Sequence, residues 1–186
     1  FTGGAAANIG NVVIGDNALD ATTTNDHTGT IAIGQQALTE CTSGAYNLAI
    51  GHQALSSNTT GHSNVAIGYT ALTAVTDGHT NTVVGTFAGD AITTGTGNVC
   101  VGYNADVTTN SHVNQIAIGN AVVTDASDQF RAGDAAEYLL YSFSGGGGAK
   151  TITVSSDIRV KKNIEDSAIG LEFINELRPV TYNYIN

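Results

Sequence analysis

The side chains able to do covalent chemistry gather at one end of this chain. Four of its six cations, Arg159, Lys161, Lys162 and Arg178, fall in the last 30 residues. Three of them stand just behind Ser156, in the run Ser155-Ser-Asp-Ile-Arg-Val-Lys-Lys-Asn-Ile-Glu165. A serine hydroxyl is a weak nucleophile until a base takes its proton. A lysine serves as that base only where burial or neighbouring cations lower its pKa, and Arg159 and Lys162 are close enough in sequence to contribute. A serine and a lysine five residues apart are also common as ordinary residues at a domain start, so the spacing by itself assigns no role.

Other candidates are weaker. His62 and His79 share a position in the repeat described below, with His27 and His112 in turns beside it, but no pair has the spacing of a dedicated zinc site. Solvated turn histidines are the expectation, with no metal and no cofactor. Asp16, Asp77, Asp90 and Asp106 form neither a calcium repeat nor an EF-hand loop, and no carboxylate pair has the look of a glycosidase site. Gly145 to Gly148 lack the Lys-Ser/Thr of a phosphate loop. Cys41 and Cys100 sit at different repeat positions and read as free thiols. His52, Tyr69, Phe87 and Tyr103 offer aromatic handles that could stack on sugars, or are plain surface decoration.

Composition bounds the partners. The formal charge is −10, and residues 1–130 contain no Lys or Arg at all. A body this acidic has no means of neutralising phosphates, which argues against nucleic acid. No apolar run approaches the length of a membrane span and no signal peptide opens the sequence, so no membrane insertion is expected. Because the sequence begins at Phe1, a fragment or a processed product is expected.

The elements that carry these residues follow from a repeat. Glycine returns at Gly15, Gly34, Gly51, Gly68, Gly85, Gly102 and Gly119, first after 19 residues and then five times after 17. Each closes a phrase such as Asn47-Leu-Ala-Ile-Gly51 or Asn64-Val-Ala-Ile-Gly68, with Ala-Leu following as in Ala54-Leu55. A fixed period of this length marks a solenoid. Side chains alternate across a strand, so Ile14, Ile33, Ile50, Ile67, Val84, Val101 and Ile118 share a face with Val12, Ile31, Leu48, Val65, Thr82, Val99 and Ile116. These branched columns are expected to face the coil's core. Between them, Val13, Ala32, Ala49, Ala66, Val83, Cys100 and Ala117 point the other way. Being small and apolar, this column is expected to meet other copies of the chain around a shared axis. Ala and Leu after the glycine return to the core, and Asn11, Asn47, Asn64, Asn81, Asn98 and Gln115 offer a stacked amide ladder. Each coil is expected to carry two short strands.

The phrase Asn-x-Ala-Ile-Gly-x-x-Ala-Leu resembles the head repeats of trimeric adhesins of the YadA type, which also occur in phage tail fibres. That resemblance implies a left-handed parallel β-roll with three chains to a trimer. The run Ser156-Asp157-x-Arg159-x-Lys161-x-x-Ile164, followed by Leu177-Arg-Pro-Val-Thr-Tyr182, resembles the start of the self-cleaving intramolecular chaperone domain of phage tail spikes and endosialidases. It implies Ser156 as nucleophile, Lys161 as its base, Asp157, Arg159 and Ile164 as supporting motif, and a cut at Ser156–Asp157. The family domain is longer than the 31 residues from Ser156 to Asn186, so an incomplete domain is expected here.

The expected fold is all-β. Residues 1–10 are a lead-in, 11–123 a trimeric parallel β-solenoid of seven coils, 124–156 a β neck with strands near Gln129, Tyr138 and Lys150, and 157–186 a strand-helix-strand start of the chaperone domain, with the helix at Ser167 to Leu177. The expected function is a structural fibre or spike segment of a phage tail on the virion, bound to other tail proteins and to a host-surface glycan or protein. The alternative is the head of a bacterial trimeric adhesin without proteolytic activity.

Overall fold

The computed structural model describes residues 10–21 and 27–142, and the backbone strand at 152–154. The chain divides into two compact units, Phe1–Ser155 and Ser156–Asn186. The first is a parallel β-solenoid of about seven turns, and no helix occurs among the described residues. Six three-residue strands, β1 to β6, are Val12–Ile14, Ile31–Ile33, Leu48–Ile50, Val65–Ile67, Thr82–Val84 and Val99–Val101. Then come β7 (Asp106–Val107), β8 (Ile116–Asn120), β9 (Val123–Thr124), β10 (Gln129–Asp134), β11 (Tyr138–Ser142) and β12 (Ile152–Val154).

One sheet of ten strands runs β1-β2-β3-β4-β5-β6-β8-β10-β11-β12. Its parallel part is in strict register: Ala32 pairs with Ala49, Ala49 with Ala66, Ala66 with Val83, and Cys100 with Ala117. The glycine beat follows from that stacking. Gly51 has φ +137°, and a Cβ there would lie 2.2 Å from the Gly68 carbonyl oxygen of the next coil. No L side chain fits both the conformation and the gap.

The inward face is the reverse of the sequence expectation. Ala32, Ala49, Ala66, Val83, Cys100 and Ala117 are wholly buried within the single chain, and Val13 packs partly buried against the same core. The branched columns on either side face outward; Ile14 is 58% exposed and Val12 43%. Val13, Ala32, Ala49, Ala66, Val83, Cys100 and Ala117 therefore cannot form an axis between chains, because their side chains are already enclosed by their own coils. The cause is the thinness of the coil. Leu38, Leu55 and Leu72 also fill the interior, and beside a full leucine layer only small side chains fit on the strand. Small size was the mark of the inside.

Those leucines hold an unfavourable backbone. Leu19, Leu38, Leu55 and Leu72 have φ between +50° and +54°, or +55° at Leu55. A left-handed residue other than glycine costs roughly 1–2 kcal/mol, and burying a leucine side chain returns about 1.5–3 kcal/mol. Burial therefore wins at each corner. A second strand per coil occurs only at β7 and β9, which pair in parallel. In the earlier coils the αL leucine corner stands where that strand was expected.

The parallel ladder also continues past Val123. In β10, Arg131 pairs with Ala117 and Gly133 with Gly119, and Gly133 keeps the φ of the beat at +143°. The strands expected near Gln129, Tyr138 and Lys150 are β10, β11 and β12, the last three joined antiparallel. The helix expected at Ser167 to Leu177 lies outside the described residues.

Candidate functional site

The candidate catalytic residues Ser156 and Lys161, with Asp157, Arg159 and Ile164, lie outside the described residues. The solenoid presents three other arrangements that bear on function.

The first is the outward strand face. Val12, Ile31, Leu48, Val65, Thr82, Val99 and Ile116 form one column, and Ile14, Ile33, Ile50, Ile67, Val84, Val101 and Ile118 the other. Thr82 is the one polar member. All are half-buried or exposed. Scattered apolar side chains on a surface are ordinary; two adjacent columns seven rungs long are a continuous patch of the kind that marks an interaction surface. At the roughly 4.8 Å spacing of neighbouring strands this stripe is about 30 Å long.

The second is a row of rings on the corner that follows each glycine. His52 stacks on Tyr69 with centroids 5.1 Å apart and planes 9° from parallel. Tyr69 meets Phe87 edge-to-face at 5.4 Å, and Phe87 meets Tyr103 edge-to-face at 6.1 Å. The sequence places Phe87 one residue later in its coil than the others, so the continuity of the row was not legible from the columns. On another face His62 and His79 stack at 4.8 Å.

The third is an acidic position in the core. Asp106 follows Ala105 where earlier coils have the leucines after Ala37, Ala54 and Ala71. It is buried, and its carboxyl oxygens accept the Ala91 N–H at 3.2 and 3.4 Å. Burial first, then a hydrogen bond to the Asp90 carboxyl, push its pKa up to about 8. The neighbouring Cys100 thiol is pushed up to about 12, again by burial first and then by Asp106. Cys100 is thus an inert core residue and not a group exposed between chains. The substitution of aspartate into the leucine column was the available signal for this pair, and column alignment alone would have found it.

Polar groups inside the coil are otherwise matched. The Asn47 side chain donates to the Gly61 carbonyl at 2.8 Å and accepts the Asn64 N–H at 2.9 Å. Asn64 repeats this with Gly78 and Asn81, and Asn81 with Gly95 and Asn98. The expected amide ladder is present, but most of its bonds run from amide to backbone. Asn98 hands on to Gln115, whose amide donates to the Ala126 carbonyl at 2.6 Å. Arg131 then takes the place of the small residue in the inward column. It is 8% exposed, donates to the Val123 carbonyl, and pairs with Asp125 at 2.9 Å. Its guanidinium lies 4.3 Å from the Tyr138 ring centroid. Hydrogen bonding from Gln129 first, and then from Arg131, holds the Asp125 carboxyl below the usual range.

His27 departs from the expectation of a solvated turn. It is buried, with Nδ1 3.5 Å from the Cys41 sulfur. It stands three residues before Thr30, as Gly44 stands before Asn47, in the one coil two residues longer than the rest. Burial raises the Cys41 pKa, so this pair holds a thiol and not a thiolate. Among the described residues no group of three or more His, Cys, Asp or Glu is placed to hold a metal ion. Nor is any helix among them long and apolar enough to cross a membrane.

No curated protein and no solved structure matches the chain. A family model described as chaperone of endosialidase matches residues 156–186, the whole of the second compact unit.

Proposed function

We propose that this chain is a homotrimeric segment of a bacteriophage tail fibre or spike, carried on the virion and used in host-surface attachment. Its C-terminal segment acts as a folding chaperone that releases itself. The observation that carries the reading is the adjacency of two parts. A β-solenoid with an uncovered apolar strand face ends at Ser155, and a match to the chaperone of endosialidase begins at the next residue. A solenoid whose outer strand face is apolar needs partners before it is stable in water, and a trimerising chaperone behind it supplies them. The number three comes from the resemblance of the repeats; the stripe supports close self-association along the fibre. Ile14, Ile33, Ile50, Ile67, Val84, Val101 and Ile118 are the residues that meet at the axis, in place of the small column.

In the chaperone segment Lys161 takes the proton of the Ser156 hydroxyl. Hydrolysis at Ser156–Asp157 consumes one water and leaves a carboxyl on Ser156 and an amino group on Asp157. The absence of cations before Arg131 fits attachment to a surface other than nucleic acid.

Two measurements test the reading. Light scattering on the purified protein should give three times the 18.9 kDa chain mass; a monomer would refute the axis. On a denaturing gel, the full-length protein should release a C-terminal fragment, and Ser156→Ala or Lys161→Ala should each abolish release. Continued cleavage in both variants would remove the dyad.

A further inference from the structure

We propose that the ring row His52–Tyr69–Phe87–Tyr103 is a binding site for an uncharged glycan chain lying along the solenoid axis. The proposal rests on the attachment reading and names the surface that would perform it. Four consecutive coils each contribute one ring, with centroids 5.1, 5.4 and 6.1 Å apart, close to the length of one sugar ring in an extended chain. Tyr69, Phe87 and Tyr103 are 47%, 37% and 58% exposed. Only the His52–Tyr69 contact is face to face. An edge-to-face contact covers a face on just one of its two rings, so the row keeps ring faces free for the apolar C–H face of a sugar.

A second observation is backbone strain. Phe87 has φ +56°, at the corner position where other coils place Asn17, Gln36, Gln53, Thr70 and Asn104. Asparagine tolerates the left-handed region; a bulky aromatic ring does so poorly. Phe87 is 37% exposed, so core burial does not offset that cost as it does for the leucines. A strained residue kept on a surface points to a use for its ring.

The polar groups beside the row suit sugar hydroxyls. Gln53 Nε2 donates to Gln36 Oε1 at 3.0 Å, and the pair keeps further amide hydrogen-bonding capacity. Thr70 and Asn104 occupy the equivalent corners. Charge selects the ligand class. With no Lys or Arg in residues 1–130 and a net charge of −10, this surface repels sialylated, sulfated or uronic glycans. A neutral chain is the class that remains.

The experiment titrates the purified wild-type protein with cellohexaose, chitohexaose and maltohexaose, following tyrosine fluorescence, with oligosialic acid as the acidic comparator. At least one neutral hexasaccharide should bind saturably. Tyr69→Ala and Phe87→Ala should each weaken it roughly tenfold or more, with light-scattering mass unchanged. The conservative Tyr69→Phe should retain binding. Absence of saturable binding by all three neutral probes would overturn the proposal. So would undiminished binding in the alanine variants, or preference for the acidic comparator. Adsorption of the same proteins to a panel of bacterial cells separates the two readings. Cell adsorption that survives both alanine substitutions removes the ring row and leaves attachment standing. Oligosaccharide binding without adsorption to any cell removes attachment and leaves the ring row.

Discussion

The two faces of each three-residue strand differ by one residue position and by opposite fates. On the inside, Ala49, Ala66 and Val83 are wholly buried against a layer of leucines. On the outside, Ile50, Ile67 and Val84 are only half-buried or exposed in the single chain. Both faces are apolar, so polarity does not tell them apart; volume does. In a thin coil the inside is where bulk is excluded, and the larger side chains are left for a surface that another chain can cover. Most β-structure teaches the opposite habit, in which the large branched residues are read as the core.

The sharpest way to break this comparison is one charge on either face. Ala66→Glu puts a carboxylate among enclosed leucines, where it has neither room nor partner, and should cost several kcal/mol, enough to lose the folded coil. Circular dichroism should show loss of β-structure at any protein concentration. Ile67→Glu, one residue on, should keep the β-spectrum but shift the light-scattering mass from trimer towards monomer. If Ile67→Glu unfolds and Ala66→Glu does not, the assignment of the two faces is wrong.

Within the inside, the next comparison is Leu72 with Asp106. Each follows a core alanine, and each is buried, but one contributes an apolar side chain and the other a carboxyl that sits beside Asp90. The groups that face Asp106 are Asp90 from the preceding coil and Cys100 from its own strand. The following coil brings the Val122 carbonyl to the Asp106 N–H, and the Thr124 hydroxyl to the Asp106 carbonyl. The folded pKa of Asp106, about 8, lies above its ordinary 3.8. Between those values the folded chain binds more protons than the unfolded one, so this residue's contribution to stability falls as pH rises and is lost above about 8. Thermal unfolding midpoints measured from pH 5 to pH 9 should fall more steeply for the wild type than for Asp106→Leu. Parallel curves would mean that Asp106 carries no proton in the folded chain.

How much of this was legible in the sequence depends on what a column of letters encodes. The glycine period, the strand positions, the leucine return and the amide ladder are one-dimensional features, and all appear in the structure. The direction in which a column points is not one-dimensional. Alternation says that Ala66 and Ile67 face opposite ways, but only the width of the coil says which way is in. Arg131 was read as the first cation of a new region, yet its pairing with Ala117 puts it in the inward column as a plug. Phe87 was legible as an aromatic residue but not as the link between Tyr69 and Tyr103, because that depends on where an αL corner aims a side chain. Ser156 and Lys161 remain known through their sequence pattern, which the family match at 156–186 supports.

The mildest test concerns the polar part of the interior. Asn64 accepts the Asn81 N–H at 3.0 Å and donates to the Gly78 carbonyl at 2.8 Å, and all of this is buried. Asn64→Ala strands one donor and one acceptor without water to replace the partner, at a cost of about 2 kcal/mol. The chain supplies its own intermediate. Thr30 occupies the equivalent rung, where its hydroxyl reaches the Gly44 carbonyl at 3.4 Å. Asn64→Thr should therefore recover part of the loss, because it restores the donor to Gly78 while lacking the reach of the amide. Urea midpoints should rank wild type above Asn64→Thr above Asn64→Ala. If alanine matches the wild type, the ladder contributes nothing net, and the coil is held by its alanine and leucine layers alone.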